Sequence, residues 1–268
     1  MHSVIIDCHS HTRHSPDGSE TVLDMCTRAV ELGIEIFAIT DHCEAHEFGG
    51  DDISSAIKNC IEDIDEVSPK FSGRMEILKG VELGQPTQNT AFSEKLISEM
   101  DLDFVLCALH EMRGYDDFYF LNYYEQDIHE LLTRYFDELQ EICEWGKCDA
   151  IAHFTYPIRY IHGRTDIRVN LENYYEKIKS IYNIMIEKGI ALEINTSGLR
   201  GDLGDTLPDY QCIKLYHDIG GQLISVGSDA HKAVDVGQGI NDAIAIAKDI
   251  GFKKITYFKS RNANFISI

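Results

Sequence analysis

Two short segments, one near each end of the chain, place ligand-type side chains two residues apart. His9-Ser10-His11 follows the apolar run Val4-Ile5-Ile6, and Asp229-Ala230-His231 follows Leu223-Ile224-Ser225-Val226. On an extended backbone residues i and i+2 share a face, so each segment offers two donors to one side. Imidazole nitrogens and carboxylate oxygens suit Zn, Mn or Fe, and a buried cluster of them is tolerable only when cations offset its charge. Donors of the same kind recur between the two segments at Asp41-His42, Gly80-Val81-Glu82, His110 and His153. The chemistry within reach of such a set is metal-assisted hydrolysis.

The elements that must position these donors alternate along the chain. Residues 4–7 read as a strand and residues 21–33 as a helix, with Val22, Cys26, Ala29 and Val30 on one face, a Thr21/Asp24 capping box and Gly33 beyond the last turn. Strands follow near 34–40, 75–83, 103–110, 150–153, 190–195, 222–227 and 254–258, and helices near 53–67, 90–100, 126–145, 171–188, 209–219 and 239–250. Strand–helix alternation of this kind predicts a parallel sheet with helices outside it. His9/His11, His42, Glu82, His110, His153, Asn195 and Asp229/His231 fall at or just after the C-terminal ends of seven of the strands. An open sheet would spread those ends too widely for convergence, whereas a barrel gathers them on one rim. No linker or low-complexity stretch interrupts the pattern, so residues 1–268 read as one domain.

The formal charge is −21, from 45 acidic against 24 basic residues, with no Lys/Arg cluster, which argues against a nucleic-acid partner. Eight cysteines are scattered without a C-x-x-C pair, and several sit in apolar runs where a reduced thiol packs as a small hydrophobe. Met-His-Ser-Val-Ile-Ile-Asp lacks the features of a signal peptide, and no apolar run approaches membrane-spanning length. A cytoplasmic location without a membrane partner is the resulting expectation.

The ordered series His9-Ser10-His11, Asp17-Gly18, Asp41-His42, Gly80-Val81-Glu82, His110, His153 and Asp229-Ala230-His231 resembles the polymerase and histidinol phosphatase (PHP) superfamily across nearly the whole chain. That resemblance implies a distorted (β/α)7 TIM-like barrel with a centre of two or three divalent transition metals for phosphoester hydrolysis. It implies a first metal on His9, His11, Glu82 and Asp229. Glu82 then bridges to a second metal on His110 and His153, and Asp17, His42 and His231 hold a third. Asp17 is preferred to nearby His14 for its place beside Gly18 and before the first helix. His2, His46, His129, His162 and His217 have no comparable placement and read as ordinary. Asp7 stands two residues before His9 and Asp41 directly before His42, either to orient these ligands or to fix a strand-end turn.

Three further segments resemble the histidinol-phosphatase branch: His153-Phe-Thr-Tyr-Pro-Ile-Arg159-Tyr160, Glu193-Ile-Asn-Thr-Ser-Gly-Leu-Arg200, and Asp117-Phe-Tyr-Phe-Leu-Asn-Tyr-Tyr124 followed by Arg134-Tyr-Phe. The branch implies that Arg159 and Arg200 grip a substrate phosphate, for which the guanidinium fork is geometrically suited. Arg164 is a reserve. The implied reaction is hydrolysis of L-histidinol phosphate by a metal-bridging hydroxide, with His42 or a metal-bound water to protonate the leaving alcohol. The competing readings are a PHP phosphoesterase for nucleotides or other small phosphomonoesters, an amidohydrolase-type barrel, and a metal-holding barrel without catalysis. The Gly80-Val81-Glu82 strand and the Asp229-Ala230-His231 ending fit the second of these poorly. The aromatic stretch at 115–124 has three open roles: to cap the site, to pack on a neighbour or to fill a core.

Overall fold

The computed structural model describes residues 5–45 and 52–268, for 52–54 the backbone only. His2 and His46 lie outside the described residues. The strands are β1 (Ile5–Asp7), β2 (Ile34–Ile39), β3 (His42–Glu44), β4 (Glu76–Gly84), β5 (Phe104–Ala108), β6 (Ala150–Ile151), β7 (Ala191–Asn195), β8 (Ile224–Gly227), β9 (Lys254–Lys259) and β10 (Asn262–Ser267). The α-helices are α1 (Val22–Glu31), α2 (Asp52–Val67), α3 (Thr90–Glu99), α4 (Ile128–Trp145), α5 (Tyr156–Arg164), α6 (Tyr175–Lys188), α7 (Tyr210–Asp218) and α8 (Ile240–Ile250).

Seven strands pair in parallel in the order β1-β2-β4-β5-β6-β7-β8, and β3 carries the line of β2 onward beside β4. The ends of this sheet meet. Cys8 N donates to the Val226 carbonyl at 2.9 Å, Asp229 N to the His9 carbonyl at 2.8 Å and His11 N to the Ala230 carbonyl at 2.8 Å. The result is a nearly closed seven-stranded barrel with helices outside, as the convergence of strand ends predicts. The strands of parallel sheets covered on both faces read as continuous apolar runs, and Phe104–Ala108 and Ala191–Asn195 are buried throughout.

Helix signals fall where the sequence places them. The Thr21/Asp24 capping box forms, Asp127 caps α4, and Gly146 and Gly189 end α4 and α6 in left-handed conformation. Three elements depart from the sequence reading. Helix α5 occupies a segment read as loop, because Pro157 lies in its first turn, where a missing N–H is tolerated. Strand β6 stops at Ile151 because His153 turns away at φ 26°. Strand β10 returns antiparallel to β9 through Ser260-Arg261, both at positive φ, without the Gly or Asn that usually marks such a turn.

Candidate metal centre

The C-terminal rim assembles the nine donors from the ends of six strands, β1, β3, β4, β5, β6 and β8. Register fixes several of them: His42 pairs with Glu82 between β3 and β4, and the Ser10–Ala230 bridge sets the two terminal segments side by side. Buried Asp7 accepts hydrogen bonds from Ser228 N at 2.8 Å, Ser228 Oγ at 2.5 Å and Gly237 N at 3.0 Å, stapling β1 to the loop after β8. Buried Asp41 accepts from Thr12 N, Thr12 Oγ1 and Ser15 Oγ at 2.6–2.7 Å. Ser15 Oγ lies 3.0 Å from His11 Nδ1 and accepts from His42 N at 3.0 Å. Both aspartates therefore fix loops, and Asp41 orients His11 through Ser15.

The nine expected donors form three adjoining groups. In the first, His9 Nε2 and His11 Nε2 lie 3.0 Å apart, each within 3.2–3.4 Å of Glu82 Oε2 and 3.4–3.6 Å of Asp229 Oδ1. In the second, Glu82 Oε1 lies 2.8 Å from His153 Nε2 and 3.2 Å from His110 Nε2, and the two imidazole nitrogens are 3.4 Å apart. In the third, Asp17 lies 3.1 Å from His231 Nε2 and 3.7 Å from His42 Nε2, while the rings of His42 and His231 each pack against His11, at 4.3 and 4.1 Å, and lie 5.7 Å from one another. His42 Nδ1 also approaches Glu82 Oε2 to 3.0 Å. Glu82 thus faces all three groups. His14 turns elsewhere, to Asp63 at 2.9 Å.

Hydrogen bonding tests whether the donors suit a cation. Ser15 Oγ spends its proton on Asp41, so His11 Nδ1 must donate to it, leaving the Nε2 lone pair aimed at Glu82 and Asp229. His9 Nδ1 bonds Glu193 at 2.7 Å and His110 Nδ1 bonds Glu44 at 2.9 Å, which leaves their Nε2 atoms for the centre. His231 Nδ1 lies 3.1 Å from the Asp229 carbonyl, and its buried Nε2 faces Asp17 at 3.1 Å. Converging nitrogen lone pairs and carboxylates repel unless positive charge sits among them. The N/O donor set fits divalent Zn, Mn or Fe.

Titration behaviour expresses the same demand. Burial opposes protonation of His9, but Glu193, Glu82 and Asp229 overcome it and raise its pKa well above the usual imidazole value. His42 and His110 are likewise raised against burial, by Glu82 and Glu44. Glu82 and Asp229 are held well below the carboxylate range despite burial, chiefly by His9 in both cases. His11 is the exception, lowered to about 3 by burial and by its neighbours His231 and His42.

Above the donors opens a cavity of about 690 Å³, lined by Asp17, His42, Glu44 and His110 on the metal side. Glu111, Asp116, Asp117, Tyr119, Phe120 and Tyr160 complete the lining with Tyr156, whose ring packs against His110 at 5.1 Å and His153 at 4.6 Å. The aromatic stretch at 115–124 therefore does roof the cavity: Phe118 and Tyr123 anchor it in the core, while Tyr119 and Phe120 remain 52% and 74% exposed. Arg159, on α5, reaches Ser197 Oγ at 3.1 Å and comes within 3.7 Å of Asp229 Oδ2. Arg200 donates to the carbonyls of Ser228 at 2.6 Å and Asp229 at 3.0 Å. Arg164 lies further out, bonded to the Tyr119 carbonyl at 2.7 Å.

The PHP domain model matches residues 7–197, more than two thirds of the sequence. The chain belongs to the PHP family. The match stops before Asp229 and His231, which the barrel closure brings to the same PHP site. Among curated proteins, the chain is 27% identical over 257 residues to the "Probable histidinol-phosphatase" of Thermotoga maritima, covering 93% of this chain and 94% of that one. It is 26% identical over 259 residues to the "Histidinol-phosphatase" of Lactococcus lactis, covering 94% of each. A crystal structure of histidinol phosphate phosphatase from Lactococcus lactis, complexed with zinc, L-histidinol and phosphate, superposes with a TM-score of 0.84 at 23% identity over 97% of this chain and 98% of that one. The barrel is the PHP fold.

Two carboxylates of this PHP site escaped the sequence reading. Glu44 holds His110 and, through its second oxygen, Gln85 Nε2 at 2.7 Å. Glu193 holds His9 and the backbone N–H of His153 at 2.7 Å. A signal was available for Glu193: it lies two residues before Asn195 on one strand face and is a charged residue inside an apolar run. Glu44 stands two residues beyond His42 by the same logic. His129, His162 and His217 are remote, bonded to Tyr174 and Val169 or packed on Phe252. Among the described residues no helix is long and apolar enough to cross a membrane.

Proposed function

We propose that this protein is a metal-dependent phosphomonoesterase that hydrolyses L-histidinol phosphate to L-histidinol and phosphate. The observation that carries the reading is the convergence of nine nitrogen and carboxylate donors around buried Glu82, at the floor of a cavity walled by acids and aromatics. The names of the relatives supply the substrate, and the wall chemistry agrees with it. A small molecule with an amine, an imidazole and a phosphate needs counter-charge, a flat apolar surface and cations, in that order from wall to floor.

His9, His11, Glu82 and Asp229 would hold one metal, Glu82, His110 and His153 a second, and Asp17, His42 and His231 a third. Divalent cations held there supply Lewis acidity, bringing the pKa of water to near neutrality and offsetting phosphoryl charge. Arg159 and Arg200 would add guanidinium N–H donors on the phosphate oxygens, and both stand beside Asp229. His42 lines the cavity and would protonate the leaving alcohol when it is not serving as a ligand. Glu111, Asp116 and Asp117 offer the amine its counter-charge, and Asp117 is held in place by a 2.6 Å bond from Tyr119 N.

The test is phosphate release from L-histidinol phosphate against a panel of phosphomonoesters and nucleotides, as purified, after chelation, and after Mn or Zn is restored. Preference for histidinol phosphate, lost on chelation and recovered with metal, is the expected result. Metal-dependent turnover that favours nucleotides would retain the site and replace the substrate. A metal-loaded protein that turns over nothing would overturn the enzymatic reading.

A further inference from the structure

We propose that Glu193 is a positioning residue that ties the first metal subsite to the second, by dividing its two carboxylate oxygens between ligands of each. The inference rests on the metal reading above and adds a residue to it. Glu193 is 1% exposed in the barrel interior. Its Oε1 lies 2.7 Å from His9 Nδ1, and its Oε2 accepts from His153 N at 2.7 Å and from Asn195 Nδ2 at 3.1 Å. A carboxylate can only accept, so the His9 proton must sit on Nδ1, which frees Nε2 to ligate. The same carboxylate holds the peptide of His153, whose φ of 26° is a strained value for a residue with a side chain.

The strand carries this arrangement further. Glu193 and Asn195 share one face of β7, and beyond its end the chain turns at Thr196 into a short 3-10 helix, Ser197–Arg200. Asn195 Oδ1 accepts from Ser197 Oγ at 2.6 Å, and Ser197 Oγ in turn accepts from Arg159 at 3.1 Å. A single run of hydrogen bonds therefore joins the imidazole of His9, the backbone of His153 and the guanidinium of Arg159.

The carboxamide of Glu193→Gln has one acceptor where the wild type has two. The His153 peptide N–H and the Asn195 amide cannot exchange roles with an acceptor, so they retain the oxygen. The new NH2 then faces His9 Nδ1, which must accept, and the His9 proton moves to Nε2. That proton blocks the first subsite and leaves the second intact. Affinity for Zn or Mn at the first subsite should fall about 10–100-fold, with loss of one metal equivalent after dialysis.

Metal content and titration calorimetry of wild type, Glu193→Gln, and Glu193→Gln combined with His11→Ala or His110→Ala decide the matter. Glu193→Gln should remove little further metal in the His11→Ala background and a further equivalent in the His110→Ala background. Imidazole 1H–15N spectra of the zinc-loaded wild type, with His9 assigned by its loss in His9→Asn, should show the proton on Nδ1. That measurement needs no folded variant at Glu193, and a proton on Nε2 or ligation through Nδ1 would overturn the proposal. So would a folded Glu193→Gln with wild-type metal content. A wild type that binds no divalent metal would instead overturn the underlying metal reading.

Discussion

Among the described residues at the C-terminal rim of the barrel, Gln85, His153 and Asp229 hold positive φ without being glycine, at 47°, 26° and 53°. The N-terminal rim meets a hairpin instead. There the β9–β10 turn docks through Ser260 N to Asp103 at 2.9 Å, Arg261 to Asp149, and a stack of Phe258 on Phe104 at 5.6 Å. Both rims bury carboxylates, yet they use them differently. Asp149 has a guanidinium partner and accepts from Val105 N at 2.7 Å, so its valences are satisfied within the fold. Glu82 has only imidazoles, whose lone pairs also point inward. The contrast separates a rim that stabilises from a rim held ready for cations, as parallel barrels generally divide their two faces.

Substitutions should split along this line. The largest effect belongs to Glu82→Gln, which removes a charge shared by three donor groups. Turnover should fall on the order of 10³-fold or more, with little change in the far-ultraviolet circular dichroism of the metal-free protein. A variant that retains near-wild-type turnover would sink the assignment of Glu82 to the centre. Next comes Arg159→Met, expected to lower kcat/KM about 10²-fold through lost phosphate contact, without lowering metal content. Equal losses in phosphate affinity and metal content would show that Arg159 acts on Asp229 rather than on substrate.

The opposite rim should answer in stability alone. Arg261→Met leaves Asp149 buried without its cation and should cost about 1–3 kcal/mol in denaturant unfolding, toward the lower end because the guanidinium is partly exposed. Turnover of the folded fraction should be unchanged. Burial already raises the Asp149 pKa in the native state, with Arg261 opposing that rise. A raised carboxyl pKa means the native state holds its proton more tightly than the unfolded chain. The associated stability is therefore present at low pH and lost as pH climbs through the raised value. The penalty of Arg261→Met should accordingly be larger at pH 7 than at pH 4. A pH-independent penalty would point to lost packing instead.

The barrel was legible because strand runs are short and apolar while the intervening helices carry 3.6-residue periodicity and standard caps. The donors were legible because strand ends cluster on one rim whatever the details of packing. What escaped depended on long-range contacts: a local pattern marks Glu44 and Glu193 as unusual but not which side chains they hold. Glu44 and Glu193 touch His110 and His9 across 66 and 184 residues of sequence. Helix α5 was obscured by Tyr156-Pro157, a pair that reads as a break unless proline is known to sit in the first turn. Strand β10 lacked a glycine turn signal. Each is a case of tertiary context overriding a local cue.

The smallest effect separates the roof of the cavity from its floor. Arg164, at the end of α5, bonds the Tyr119 carbonyl at 2.7 Å and lies over the rings of Tyr119 and Tyr160 at 4.2 and 4.5 Å. Tyr124 Oη adds a 3.1 Å bond to Asp166 just beyond the helix. The roof at 116–124 is thus clasped to the same helix that carries Arg159, but the clasp reaches no metal donor. Exposed cation–π contacts contribute about 0.5–1 kcal/mol each. Arg164→Met should therefore raise KM about 3–10-fold while leaving kcat and metal content unchanged. Arg164→Lys keeps the charge without the planar fork and should recover only part of the loss. A fall in kcat with unchanged KM would mean that the roof shapes the chemistry at the floor, and the two levels of the site would then have to be treated as one.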